Sequence, residues 1–215
     1  WGKLGNWRYE AVLVPALNSN MFNNANWVKN GSASGFEFRV ANHLAGALRI
    51  DNYSSKNFHW AVSGYIGNTF NNDAVTNEFS ETSPYKDVKG TVIIGTAEFD
   101  YKGHGFVVRG NFDYGHLGDA SLISSWNKNQ NHQSFSPYPR SLVGESALAC
   151  GAEIAYDIFH TMKRTCDHKL YLFGRYDYYD SYIPYPNALT DYQWTDRHMM
   201  TLGVNYYPIP QVVIT

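Results

Sequence analysis

The sequence predicts an all-β chain, a segment of a transmembrane up-and-down antiparallel β-barrel. Three observations carry that expectation. Apolar and polar residues alternate over stretches of a dozen or so residues, the connections alternate between short and long, and tyrosine is abundant where charge is scarce. Residues 170–182, LYLFGRYDYYDSY, show the first of these. Leu170, Leu172, Gly174, Tyr176 and Tyr178 share one parity, and Tyr171, Phe173, Arg175, Asp177 and Tyr179 the other. Successive side chains of an extended chain point to opposite faces. One face is therefore greasy and capped by tyrosines, and the other carries an arginine and an aspartate. A soluble sandwich would bury the first face; a membrane barrel would turn it to lipid and the second to water.

Strand signals fall at roughly 6–17, 42–53, 57–67, 88–101, 105–116, 145–157, 168–180, 196–207 and from 211 to the end, about nine strands. Their length suits a tilted membrane strand of ~9–11 residues or slightly more, whereas globular strands average ~5–6. The connections SSKN, KGHG and PIPQ are short, FHTMKRTCDH is medium, and those at about 18–41, 68–87, 117–144 and 181–195 are long. A barrel with brief periplasmic turns and extended extracellular loops sorts its connections in this way; a Greek-key sandwich does not. The long segments are rich in Asn, Ser, Gly and Tyr, and between strands they read as loops on one rim.

The same parity split applies throughout. Phe58, Trp60, Phe106, Phe112, Leu170, Leu172, Leu202 and Val204 fall on the apolar, lipid-facing side. Arg8, Glu10, Arg49, Asp51, Glu98, Asp100, Arg109, Asp113, Glu153, Arg175 and Asp177 fall on the ionisable, pore-lining side. Tyr101, Tyr114, Tyr156, Tyr178 and Tyr206 lie near strand ends, as in an aromatic girdle. Charges on the ionisable side recur two residues apart as Arg8 and Glu10, Arg49 and Asp51, and Arg175 and Asp177; Arg109 and Asp113 flank Asn111. Side-by-side pairing is the expectation for each, since unpaired charge in a tight interior is costly.

The 215 residues suffice for one core or one barrel, with 17% charged and 16% aromatic residues and 17 tyrosines. The net charge of −2 and the scattered basic residues leave no nucleic-acid footprint. Mean hydropathy is −0.40 and no run approaches a helical membrane span; a barrel escapes that test because only alternate residues meet lipid. Cys150 and Cys166 make no disulfide framework and read as free thiols. The opening WGKLGNW lacks signal-peptide character, and the last residues stop inside an apolar strand signal. The expectation is one barrel segment over 1–215, incomplete at both termini.

Several strands together, NHLAGALRIDNYSSKNFHWAVSGYIGNTF, FVVRGNFDYGHLGD, GAEIAYDIF, LYLFGRYDYYDSY and TLGVNYYPIPQVVI, resemble phosphate-selective porins of the O/P type, and more closely the outer-membrane porins of that superfamily from Bacteroidota. The resemblance covers about residue 42 to the end. It implies a 16-stranded barrel in the bacterial outer membrane, often trimeric, bathed in outer-membrane lipid and lipopolysaccharide, and open to lipoprotein partners. It also makes Arg8, Arg49, Arg109 and Arg175 counterparts of an arginine ladder for phosphate. The acids on the same face argue instead for passive diffusion of small hydrophilic or ionic solutes through a charged lumen.

No cofactor, metal or catalytic residue is assigned. His160, Cys166, Asp167 and His168 lie close in sequence but read as a polar turn rather than zinc ligands. Asp177, Asp180 and Asp191 lack a calcium-loop spacing, and no nucleophile-elbow sequence occurs. His43, His59 and His116 read as pore or rim residues. The alternatives are an aromatic-rich β-sheet protein that binds glycans through Trp27, Trp126, Trp194 and loop tyrosines, or an outer-membrane barrel enzyme or adhesin.

Overall fold

The computed structural model describes residues 1–32, 42–73, 76–129, 142–162, 168–188 and 191–214. Ten strands follow one another: β1 (Gly2–Leu4), β2 (Trp7–Pro15), β3 (Leu44–Asn52), β4 (Phe58–Asn68), β5 (Thr91–Gly103), β6 (Phe106–Leu117), β7 (Ser146–Asp157), β8 (Lys169–Ile183), β9 (Asp196–Ile209) and β10 (Val212–Ile214). Two helices interrupt them, α1 (Ala120–Asn129) and the single turn α2 (Ile158–Thr161). Each strand pairs antiparallel with the next, giving one all-β meander in chain order. Among the described residues β1 and β10 do not meet, so the sheet is open.

Local chemistry explains the tight ends. Gly103 pairs with Phe106, and the two residues between them, His104 and Gly105, have φ of 53° and 81°. Two positive-φ residues match the right-handed twist of the flanking strands, and glycine takes one of them without steric cost. The sequence pattern starts the first strand at residue 6, whereas Lys3 pairs with Arg8 and Leu4 with Trp7, so β1 adds a strand. The same pattern makes 117–144 a loop, and α1 forms there. The buried stripe of α1 is Ala120, Ile123, Ser124 and Asn127, at i, i+3, i+4 and i+7. Half of that stripe is polar, so apolar periodicity alone could not find the helix.

Register keeps the parity sorting across the whole sheet. Phe58 faces Tyr101, Trp60 faces Phe99, and Phe112 faces Ala97 and Cys150; Leu172 faces Tyr156 and Val204, and Leu170 faces Tyr206. The sequence-assigned apolar residues Phe58, Trp60, Phe106, Phe112, Leu170, Leu172, Leu202 and Val204 thus share one face. That face is exposed: Phe112 is 49% accessible, Leu172 55% and Leu202 81%. Cross-strand rings knit it together, with Trp7 edge-on to Trp60 at 5.5 Å and Phe106 against Tyr156 at 4.6 Å. Phe99 also covers Gly110, where a Cβ would come within 2.5 Å of the ring. Gly110→Val is expected to cost about 1–3 kcal/mol by overpacking, measurable as a lower unfolding midpoint; an unchanged midpoint would show that Phe99 moves aside freely.

The buried core is not between two sheets. Phe22, Trp27, Val28, Phe70, Val92, Leu117, Ala120, Ile123 and Val143 form it at the end of the sheet where the long connections lie. Val92, Leu117, Tyr65, Ile94 and Ala147 belong to the ionisable parity, so this cluster sits against that face. Phe70, Phe79, Tyr85 and Trp126 pack ring on ring beside it, 5.0–6.4 Å apart.

Candidate functional site

The ionisable face is built by register. Strand pairing sets Arg8 opposite Asp51, Glu10 opposite Arg49, and Asp100, Arg109, Glu153 and Arg175 in one row across β5 to β8. Opposite charges directly across an antiparallel pair attract, while like charges there repel. The row alternates in sign at every step.

Side-chain geometry follows. Arg49 donates from Nη2 to Asp51 at 2.9 Å and also to Glu98. Arg175 grips Asp177 through two hydrogen bonds of 2.7 and 2.8 Å, a planar fork-to-fork pairing. The other two expected pairs re-partner. Arg109 reaches Glu153 at 3.5 Å rather than Asp113, whose carboxylate accepts from Asn111 Nδ2 at 2.8 Å. Arg8 lies over the Tyr53 ring at 4.7 Å rather than beside Glu10. Cross-strand neighbours are nearer than same-strand ones here, and only the register discloses them.

His59 joins the two halves of the network. Its Nε2 is 3.3 Å from Asp51 and its Nδ1 is 3.0 Å from Asp100, while its ring stacks on Tyr53 at 4.2 Å. Sequence reasoning gave His59 a place on this face and no partner. A trough of about 320 Å³ opens between Glu98, Asp100, Arg109, Asn111, Glu153 and Arg175.

The strand charges of this face balance. Lys3, Arg8, Arg49, Lys102, Arg109, Lys169, Arg175 and Arg197 stand against Glu10, Asp51, Glu98, Asp100, Asp113, Glu153, Asp157 and Asp177. All of the sequence-assigned ionisable residues are on it, interleaved rather than segregated by sign.

The tyrosine tips are tied at the short-turn end. Tyr101 OH meets His104 Nδ1 at 2.9 Å and Tyr206 OH meets His168 Nδ1 at 3.1 Å, while Tyr156 OH bonds to the Thr161 hydroxyl. At the other end Tyr114 OH meets Ser146 Oγ at 3.1 Å. An apolar ring body with a polar tip bonded at the strand end suits a boundary between greasy and wet surroundings.

The connection from β2 to β3 crosses the ionisable face. Trp27 lies over Gly115 of β6, where a Cβ would fall 2.0 Å from the indole, and its Nε1 donates to Gly144 O at 3.0 Å. Ser181 Oγ of β8 donates to Asn24 O at 2.7 Å. Asn127 of α1 donates to Ser19 O at 2.9 Å, and Asn72 donates to Ala16 O at 2.8 Å. The asparagines that look like linker composition are structural. Asn18 and Asn23 accept from backbone N–H groups two or three residues on, as turn-forming asparagines do.

The other candidates resolve as follows. Asp180 accepts from Tyr182 N and Thr195 Oγ1, both at 2.9 Å. Among the described residues no group of His, Cys, Asp or Glu has the placement to hold a metal, and Cys166 and Asp167 lie outside them. Cys150 is a free thiol. Of the three tryptophans, Trp27 is buried, Trp126 lies in the aromatic cluster, and Trp194 is exposed under Arg197. No described helix is long and apolar enough to cross a membrane, which says nothing of strands.

No protein-family model, curated protein or solved structure matches the chain. The functional reading therefore rests on the two faces and on what lies across one of them.

Proposed function

We propose that this chain is a wall segment of a bacterial outer-membrane porin, through which small hydrophilic or ionic solutes diffuse passively. The observation that carries it is the exposed apolar face running from Trp7 to Val204 without a covering layer among the described residues. An apolar patch of that extent in water would drive association; against acyl chains it is the favourable surface. The opposite face then lines a solvent column, where exposed ion pairs are affordable. The eight long strands β2–β9, of 9 to 15 residues, are long enough to cross the ~30 Å hydrocarbon layer with tilt. In this reading further strands close the sheet, the short turns are periplasmic and the long connections extracellular. Lipid and lipopolysaccharide surround it, as a trimer or with lipoprotein partners, and no chemical step is assigned to it.

The balance of charge on the inner face favours a general diffusion pore over a phosphate filter. An anion selector needs arginines that dominate where the path is narrow, and here each of Arg49, Arg109 and Arg175 is shadowed by a carboxylate.

The test is reconstitution in planar bilayers, where stepwise current is expected. Protein that stays monodisperse without detergent would overturn the reading, as would silence in the bilayer. Arg49→Gln is expected to cost under ~1 kcal/mol of stability, as exposed ion pairs do. It should move the reversal potential toward cations, because the guanidinium that offsets Asp51 and Glu98 is gone. A loss of several kcal/mol of unfolding free energy would instead place Arg49 in a dry core.

A further inference from the structure

We propose that the junction between the single 3-10 turn Ser19–Met21 and helix α1 binds one hard metal cation, calcium or sodium, through Ser19 Oγ, Asn20 Oδ1 and Asn127 Oδ1. The site goes beyond the pore reading and does not rest on it.

Four buried side-chain polar atoms have no hydrogen-bond partner among the described residues, and three of them belong to this junction. Ser19 and Asn127 are fully buried, and Asn20 is 6% exposed. Asn127 Nδ2 donates to Ser19 O at 2.9 Å, which brings the helix side chain onto the turn and leaves its Oδ1 without a donor. A carboxamide oxygen can only accept. Burying an acceptor with nothing to accept from is costly, and native proteins keep such atoms rare. Three at one place point to a shared occupant rather than to three separate defects. The neighbouring buried polar groups are satisfied. Ser124, about one turn earlier in α1, accepts from Val143 N at 3.1 Å and donates to Val143 O at 3.3 Å. Asn72 donates to Ala16 O and Leu17 O and accepts from Asn42 N and His43 N.

The ligand set selects the chemistry of the occupant. It is oxygen only, two carboxamides and one hydroxyl, and neutral oxygens of this kind are ligands for hard cations, with water in the remaining positions. Asn127 stands in the last turn of α1, where backbone carbonyls without helical partners form the negative pole of the helix. That field favours a cation over a neutral group. Phe22, which follows the turn, and Ile123, on the same stripe of α1 as Asn127, are fully buried in the apolar cluster. A low-dielectric neighbourhood strengthens the attraction between an ion and the oxygen dipoles. The set holds no carboxylate, so binding falls at the weak, about millimolar end of the range for such sites. A bound ion ties the β2–β3 connection to the β6–β7 connection, beside the Asn127–Ser19 hydrogen bond.

The full chain, in micelles of a neutral detergent, is digested with a lysine-specific endoproteinase in choline chloride, sodium chloride or calcium chloride at matched ionic strength. Cleavage after Lys128, the exposed residue that follows Asn127, should slow about tenfold at about 10 mM calcium, the factor for a ligand at ten times a dissociation constant of about 1 mM. Cleavage after Lys56, in the β3–β4 turn at the other end of the sheet, should not change and reports on the protease itself. Slowing by sodium without calcium assigns the site to the monovalent ion. Asn20→Asp puts a charge on one ligand and should lower the half-saturating cation concentration at least about tenfold. Ser19→Ala removes a ligand and should raise it, and carries the test should Asn20→Asp fail to fold. Wild-type cleavage after Lys128 that ignores both ions overturns the site and leaves a buried water as the occupant. Protection that Asn20→Asp does not tighten and Ser19→Ala does not weaken overturns the ligand assignment. Neither outcome touches the bilayer currents that test the pore reading.

Discussion

Phe112→Arg should abolish assembly in lipid, whereas Asn111→Arg, one residue away, should be tolerated. Phe112 stands on the apolar face of β6, 49% exposed, with Ala97 and Cys150 as its cross-strand neighbours. If the chain is the porin wall proposed above, a guanidinium placed there faces acyl chains, which costs about 2–4 kcal/mol near the bilayer midplane, and the apolar contact of the phenyl ring is lost as well. Asn111 points the other way. Its side chain donates to Asp113 at 2.8 Å, and with Asp177 it leans over Gly151, whose added Cβ would meet both. An arginine at 111 therefore arrives beside two carboxylates. Folding yield in detergent or lipid, read as the heat-modifiable band on a gel, decides the matter. Equal behaviour of the two variants, or tolerance of Phe112→Arg alone, would mean that the faces have been assigned to the wrong environments.

Phe70→Ala should loosen the long connections while leaving the strands paired. Phe70 is 3% exposed and is ringed by Phe79, Tyr85 and Trp126, with Val92, Leu117 and Ile123 in the same cluster. Truncating a buried phenylalanine costs about 3–5 kcal/mol. That loss falls mainly on the connections and α1, which meet the meander in this cluster only at strand ends such as Val92 of β5 and Leu117 of β6. Tryptic cleavage at Lys86, Lys89 and Lys128 is then expected to accelerate more than about a hundredfold, since cleavage follows the population of the open form. The heat-modifiable band should persist. If cleavage at these lysines is unchanged, the cluster does not hold the connections; if the band disappears, cluster and sheet are one cooperative unit.

The two faces were legible from residues alone because a strand repeats every two positions, and a sequence such as LYLFGRYDYYDSY betrays its parity wherever it is read. Strand ends also emerged within a few residues, because turn residues such as KGHG punctuate them. Three things could not be read. The partners of Arg109 and Arg8 depend on which strand residue stands opposite, and parity does not give that offset. Helix α1 hides because Ser124 and Asn127 occupy half of its buried stripe. There Ser124 accepts from Val143 N and Asn127 donates to Ser19 O, residues far off in sequence. The cluster at the loop end draws Trp27, Phe70 and Trp126 from separate connections, each of which taken alone looks like polar linker. Asparagine content marked those segments as irregular, and irregular they are, but the side chains that make them look soluble are the ones that bond them down.

One property of the meander bears on how the chain reaches its structure. Every strand joins the one before it, so nearly all backbone pairing is between sequence neighbours and can form hairpin by hairpin with little loop-closure entropy to overcome. Trp27 to Gly144 and Asn24 to Ser181 are different, since they bridge 117 and 157 residues. Such a clasp can engage only after the strands beneath it exist. Its loss should therefore hasten unraveling of the finished molecule while leaving the pace of its formation nearly untouched.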